Sequence, residues 1–142
     1  MITFWTVIFK NFIELGFHGE MKWFEETYER RKSPIKLWPE AKSAIILGLN
    51  YGPEIDPLTK NKNKSLGNIS VYAQGKDYHD VIKGRLKSFA SKLISRLDKK
   101  KETNVKVFVD TAPLMEKPLA EKSGIGWQGK HTNLVSREFG SW

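Results

Sequence analysis

The 142-residue sequence contains no cysteine. That absence excludes disulfides, thiolate zinc sites and cysteine-ligated iron–sulfur clusters built from this chain alone. A long hydrophobic run is missing too. The stretch from Ile2 to Phe9 is strongly apolar, but Lys10 interrupts it, and it falls far short of the ~20 residues a membrane span takes. It has neither a basic start nor a small-residue cleavage site, so no signal peptide is read and the expected address is cytoplasmic, with no membrane partner. Internal repeats and low-complexity tracts are also lacking. Acidic side chains are in the minority, 16 Asp and Glu against 24 Lys and Arg, for a net charge of +8. Such an excess favours a polyanionic partner through counterion release, and RNA, DNA and acidic membranes all qualify. The plain alternative is a lysine-rich surface that serves only solubility. What is present is a hydrophobic share of 39% with five tryptophans and eight phenylalanines, enough for one folded domain rather than a disordered chain.

Periodicity sketches the elements. Trp5, Ile8, Phe9, Phe12 and Ile13 share one helical face within residues 2–15, and Gly16 ends that helix. Met21, Trp23, Phe24 and Tyr28 line a second helix that stops before Ser33 and Pro34. Residues 43–49 (SAIILGL) form a short, β-branched apolar run that reads as a buried strand, and residues 54–67 read as a loop. Ile69, Val71 and Ala73 alternate as a second strand. From Tyr78 the period changes: Ile82, Leu86, Phe89, Leu93 and Leu97 follow at spacings of three or four, the clearest helix in the chain. Asp77 caps its start, and Lys99 to Lys101 suit the negative end of its dipole. Val105, Val107 and Val109 alternate as a third strand that delivers Asp110 at its carboxyl end. A helix over residues 118–123 ends in Gly124, and residues 132–135 suit another strand. The fold class expected is α+β, a small mixed sheet flanked by helices.

Three features invite functional readings. Gly124-Ile125-Gly126-Trp127-Gln128-Gly129-Lys130 satisfies a dinucleotide-binding GxGxxG pattern and lies one residue from a phosphate-loop pattern, with His131 where a hydroxyl residue belongs. Both phosphate motifs need the glycines between a strand and a helix amino terminus. Here a helix precedes them instead, so the context argues against nucleotide binding, and the glycines mark a sharp turn or a close approach. Asp110 at a strand end is either a turn residue or, if partly desolvated, a general acid. Arg30 and Arg31 are either the basic end of a helix or a donor fork for phosphate or carboxamide groups. His18, His79 and His131 are the only histidines, without the close spacing of a metal site.

Seven pieces of the chain, in order, resemble one family. They are residues 16–21 (GFHGEM), Glu29-Arg30-Arg31 with Pro34, residues 72–79 (YAQGKDYH), Val109-Asp110-Thr111-Ala112-Pro113, residues 118–127 (PLAEKSGIGW), Gly129-Lys130-His131-Thr132 and Phe139-Gly140-Ser141-Trp142. In this they are similar to the epoxyqueuosine reductases, from Gly16 to Trp142. The resemblance implies a nitroreductase-related cobalamin-binding domain over residues 16–142, after an atypical helix over residues 1–15. It also implies reduction of epoxyqueuosine to queuosine at the wobble position of tRNA, with the anticodon loop as partner. By resemblance Asp110 stands at the position of the aspartate that protonates the departing oxygen. Arg31, Ser70, Asp110, His131 and Leu134 stand at cobalamin-contact positions.

Members of that family carry two 4Fe-4S clusters in a cysteine-rich domain, and they begin with a helix and strand that residues 1–15 do not resemble. The expectation is therefore a sheet and domain cut short, inactive by itself and dependent on any separate chain that carries the iron–sulfur part. A basic RNA-binding module without chemistry and a non-functional remnant of a split gene are the rival readings. Whether this chain is an enzyme stays open at this point.

Overall fold

The computed structural model describes residues 3–97 and 102–141. The chain divides into two compact units, Met1–Gly48 with Ala112–Trp142, and Leu49–Thr111.

The first unit opens with α1 (Thr3–Glu14). Phe9 is buried and Trp5, Phe12 and Ile13 are half-buried on the face their spacing marks, whereas Ile8 is exposed. The helix stops because Gly16 turns into the left-handed region at φ 70°. Its N–H then donates to the Ile13 carbonyl and that of Phe17 to the Phe12 carbonyl, a Schellman closure whose hydrophobic contact is the Phe12–Phe17 ring pair.

The expected second helix is divided in two, α2 (Trp23–Glu26) and α3 (Tyr28–Arg31). The reason sits at Thr27, whose hydroxyl donates to the Trp23 carbonyl at 2.6 Å while its backbone leaves helical angles at φ −102°, ψ 4°. A threonine bonding back four residues competes with the helical ladder. Phe9, Phe12, Phe24 and Tyr28 then pack ring against ring, with centroids 5.5 to 6.4 Å apart. Buried His18 sets its Nε2 2.7 Å from Glu25 Oε1. Pro34 opens α4 (Pro34–Leu37), capped by the Ser33 hydroxyl.

The chain returns to this unit through α6 (Glu116–Lys122), which buries Pro118, Leu119 and Ala120. Trp5 Nε1 donates to Glu121 Oε2 at 3.0 Å and ties α1 to α6. Gly124, at φ 83°, closes α6 as Gly16 closes α1, its N–H donating to Glu121 and that of Ile125 to Ala120. The antiparallel pair β1 (Trp127–Gln128) and β2 (Leu134–Val135) follows, with Trp127 opposite Val135 and Gln128 opposite Leu134.

The second unit holds the long helix α5 (Tyr78–Arg96). Tyr78, Ile82, Leu86 and Leu93 are half-buried along its stripe, while Phe89 and Leu97 are exposed. The lysines expected to meet its dipole at Lys99 to Lys101 lie outside the described residues.

The class is α+β, as the sequence leads one to expect, but three expected strands are not strands. Residues 43–49 and 105–109 run outside any ladder among the described residues, and Val71–Ala73 closes a 3-10 turn instead. Alternation makes a segment fit to pair, but only a neighbouring strand makes it a strand. Accordingly Ile45 and Leu47 stay more than half exposed.

Candidate functional site

In the second unit Asp110 occupies the left-handed region at φ 53°. Such a backbone is uncommon for a residue other than glycine, and aspartate tolerates it better than most. Val109, immediately before it, is buried. One side of the residue is thus anchored while its carboxylate points toward the start of α5. There the Tyr78 hydroxyl donates to Asp110 Oδ2 at 2.8 Å, and His79 Nε2 stands 4.0 Å from the same oxygen.

The placement of Tyr78 and His79 follows from a cap. Asp77 terminates the preceding turn with its Oδ1 accepting the backbone N–H of His79 at 2.8 Å. The same Oδ1 lies 2.8 Å from His79 Nδ1. One carboxylate therefore fixes both the first helical turn and the orientation of the imidazole. The Tyr78 and His79 rings stack at 4.1 Å, and Tyr72 meets Tyr78 edge-on at 6.3 Å. Tyr72 sits in the 3-10 turn that begins after Ser70, whose carbonyl accepts the Ala73 N–H.

Electrostatics follow from these contacts. The Asp110 carboxylate, accepting the phenol hydrogen, pushes the Tyr78 hydroxyl up to about 12, with burial and the charge of Asp110 adding to the effect. Hydrogen bonds from the backbone and ring of His79 hold Asp77 below its ordinary range. The phenol is thus a durable donor at neutral pH. Its bond to Asp110 fixes the direction of Oδ2.

In the first unit Arg31 Nε donates to Thr27 Oγ1 at 2.9 Å. The guanidinium lies 4.9 Å from the Trp23 ring centre and 5.1 Å from that of Phe24. Partial burial, with Arg30 adjacent, lowers its pKa. A stacked guanidinium with one edge secured presents its remaining N–H groups in a fixed plane.

His131 stands at the tip of the β1–β2 hairpin, its Nδ1 accepting the Asn133 N–H at 3.2 Å. Leu134, half-buried, lies in β2 opposite Gln128. The hairpin accounts for the glycine pattern. Gly124 caps α6, a Cβ on Gly126 would stand 2.1 Å from the Val135 carbonyl oxygen, and one on Gly129 would stand 2.6 Å from the His131 ring. These glycines lead from a helix into a strand, the reverse of a phosphate loop.

The structure brings Asp110 together with Tyr78, His79 and Asp77, and it brings His131 and Leu134 onto one hairpin. Tyr78 and His79 escape sequence reasoning as site residues, because Tyr78 reads as the first member of an apolar stripe and the histidines read as scattered. The Asp-Tyr-His run at a helix start is the available signal.

A family model described as "Epoxyqueuosine reductase QueG, DUF1730" matches residues 31–111. Among curated proteins, the epoxyqueuosine reductase of Leadbetterella byssophila is 42% identical over 133 residues, covering 94% of this chain and 41% of that protein. That of Vibrio cholerae is 36% identical over 131 residues, with 92% and 35% covered. The Escherichia coli protein is 37% identical over 131 residues, with 92% and 34% covered. The chain spans about a third to two-fifths of the length of these relatives. No solved structure matches it.

Proposed function

Because the chain belongs to the epoxyqueuosine reductase family, we propose that residues 16–142 act as the cobalamin-binding part of a tRNA-modifying reductase in the cytoplasm, with Asp110 as its proton donor. The observation that carries this reading is the pairing of family membership with an Asp110 held by a buried anchor and a phenol. A carboxyl group within hydrogen-bond reach of a departing oxygen removes the cost of releasing an alkoxide, a contribution of roughly 10²- to 10⁴-fold.

A stacked, fixed guanidinium such as that of Arg31 suits cobalamin's periphery. Its amide side arms and phosphate ask for hydrogen-bond donors and apolar faces rather than for a cluster of metal ligands. Arg31, stacked and fixed, would hold a carboxamide or phosphate; His131, Leu134, Ser70 and Asp110 are proposed as further contacts from the family resemblance alone. Cobalamin, when bound, supplies the low-potential reduction of the substrate carbon. Asp110 delivers the proton, and the phenol of Tyr78 restricts which carboxylate oxygen does so. Iron–sulfur clusters do not fit this chain, since their thiolate ligands are absent from its sequence. Electrons therefore have to come from cluster-bearing sequence elsewhere, in a separate chain or a longer one. The net charge of +8 supports tRNA as the partner, whose loop bases are accessible for splaying into a site.

Two experiments test the reading. Mixing the purified chain with cobalamin is expected to change the cofactor's absorption spectrum; RNA retention without that change would favour a basic RNA-binding module instead. In an assembly that supplies the iron–sulfur part, Asp110→Asn is expected to lower turnover at least ~100-fold. Unchanged turnover would refute the acid.

A further inference from the structure

The contacts around Asp110 raise a question of proton supply. Tyr78 donates to Oδ2 at 2.8 Å, which occupies one lone pair of that oxygen and fixes its direction. An acid that gives up a proton at each turnover has to regain one, from bulk water or from a side chain that faces it. His79 faces it, with Nε2 4.0 Å from the same Oδ2 and a ring that is 40% exposed to solvent.

We propose that Tyr78 and His79 are positioning residues for Asp110, the phenol fixing Oδ2 and the imidazole, itself held by Asp77, returning a proton to Asp110 after each turnover. This rests on the reading of Asp110 as the acid. The tautomer is set by Asp77: with Oδ1 2.8 Å from Nδ1, Nδ1 carries hydrogen and Nε2 is the nitrogen that gains and loses it. In the charged ring the Nε2–H bond breaks, its electron pair stays on nitrogen, and a new O–H bond forms on Asp110. The ring, now neutral with Nδ1–H still on Asp77, takes its next proton at Nε2 from water. The 4.0 Å gap is bridged by one water or closed by a side-chain shift on the order of 1 Å. The groups described as facing His79 are Asp77, Asp110 and Tyr78, with Tyr72 behind the phenol. Tyr78 does not replace His79 as the source, because its hydroxyl holds its proton up to about 12.

The first test reads the chain itself. Nitrogen-15 shifts of the His79 ring are expected to show the Nδ1–H tautomer, and Asp77→Asn to give a mixture. An Nε2–H ring in the unaltered chain would overturn the relay. The second test uses the assembly that supplies the iron–sulfur part. His79→Ala is expected to lower turnover about tenfold, with recovery on adding imidazole, a rescue that a merely structural residue does not show. His79→Gln, of similar bulk, should show the same loss.

Full turnover in both His79 variants, or a loss that imidazole leaves untouched in a chain with an unchanged circular dichroism spectrum, would refute the relay. If Asp110→Asn is inactive while the His79 variants are not, only the relay fails. If Asp110→Asn keeps full turnover, the acid reading fails and the relay with it.

Discussion

The two units divide packing from polar chemistry. The first holds the ring cluster around Phe9 and the buried segment Pro118–Ala120 of α6. In the second, Val109 is the buried hydrophobic residue among those described, and beside it lies the hydrogen-bonded run Asp77, Tyr78, His79 and Asp110. A well-packed core tolerates little change in volume, whereas a polar cluster at a partly exposed surface keeps its groups open to water and ligand. The lesson is that stability and reactivity in this chain should respond to different substitutions. The aromatic residues make the difference measurable, since all five tryptophans fall in the first unit and three of the four tyrosines in the second.

The sharpest way to break this comparison is Phe9→Ala, which removes the ring that touches Phe12, Phe24 and Tyr28. A loss of about 3 kcal/mol is expected, read by denaturant unfolding through tryptophan fluorescence. A loss below ~1 kcal/mol would mean that the cluster is not the unit's main core. Gly126→Ala comes next, since its Cβ would meet the Val135 carbonyl oxygen at 2.1 Å. About 2 kcal/mol is expected, with Trp127 emission shifting as the hairpin opens.

A pH titration sharpens the other side. The Tyr78 hydroxyl is raised from 10.0 to about 12 in the folded chain, so folding favours its protonated form. The stability this brings is complete below pH ~10 and is lost as pH rises toward 12. Ultraviolet titration of the phenolates should find one tyrosine ionising last, and Asp110→Asn should return it toward the rest. The smallest effect is expected at Ile45→Thr, within about 0.5 kcal/mol, because that side chain is more than half exposed. A larger loss would show that residues 43–49 carry packing beyond what the contacts display.

Some of this was readable along the chain. The spacing of Trp5, Phe9, Phe12 and Ile13 marks the inward face of α1, and Gly16 and Gly124 mark helix ends because a left-handed residue is needed there. Asp77 is readable as a cap for the same local reason. Residues 43–49 and 105–109 were not readable as unpaired, because an apolar run or an alternation reports only the capacity to pair. Nor was the break at Thr27, where one hydroxyl's choice of acceptor divides a helix.

By itself, then, the sequence determined the inward face of α1, the long helix α5, the turns at Gly16, Asp77 and Gly124, and the lack of thiolate ligands. These depend on residues a few places apart or on composition alone. Only the tertiary structure decided that Tyr78 and His79 face Asp110 across more than thirty residues of chain, and that the glycine run folds as a hairpin. Contacts between distant segments depend on how each unit closes, and no local spacing encodes that.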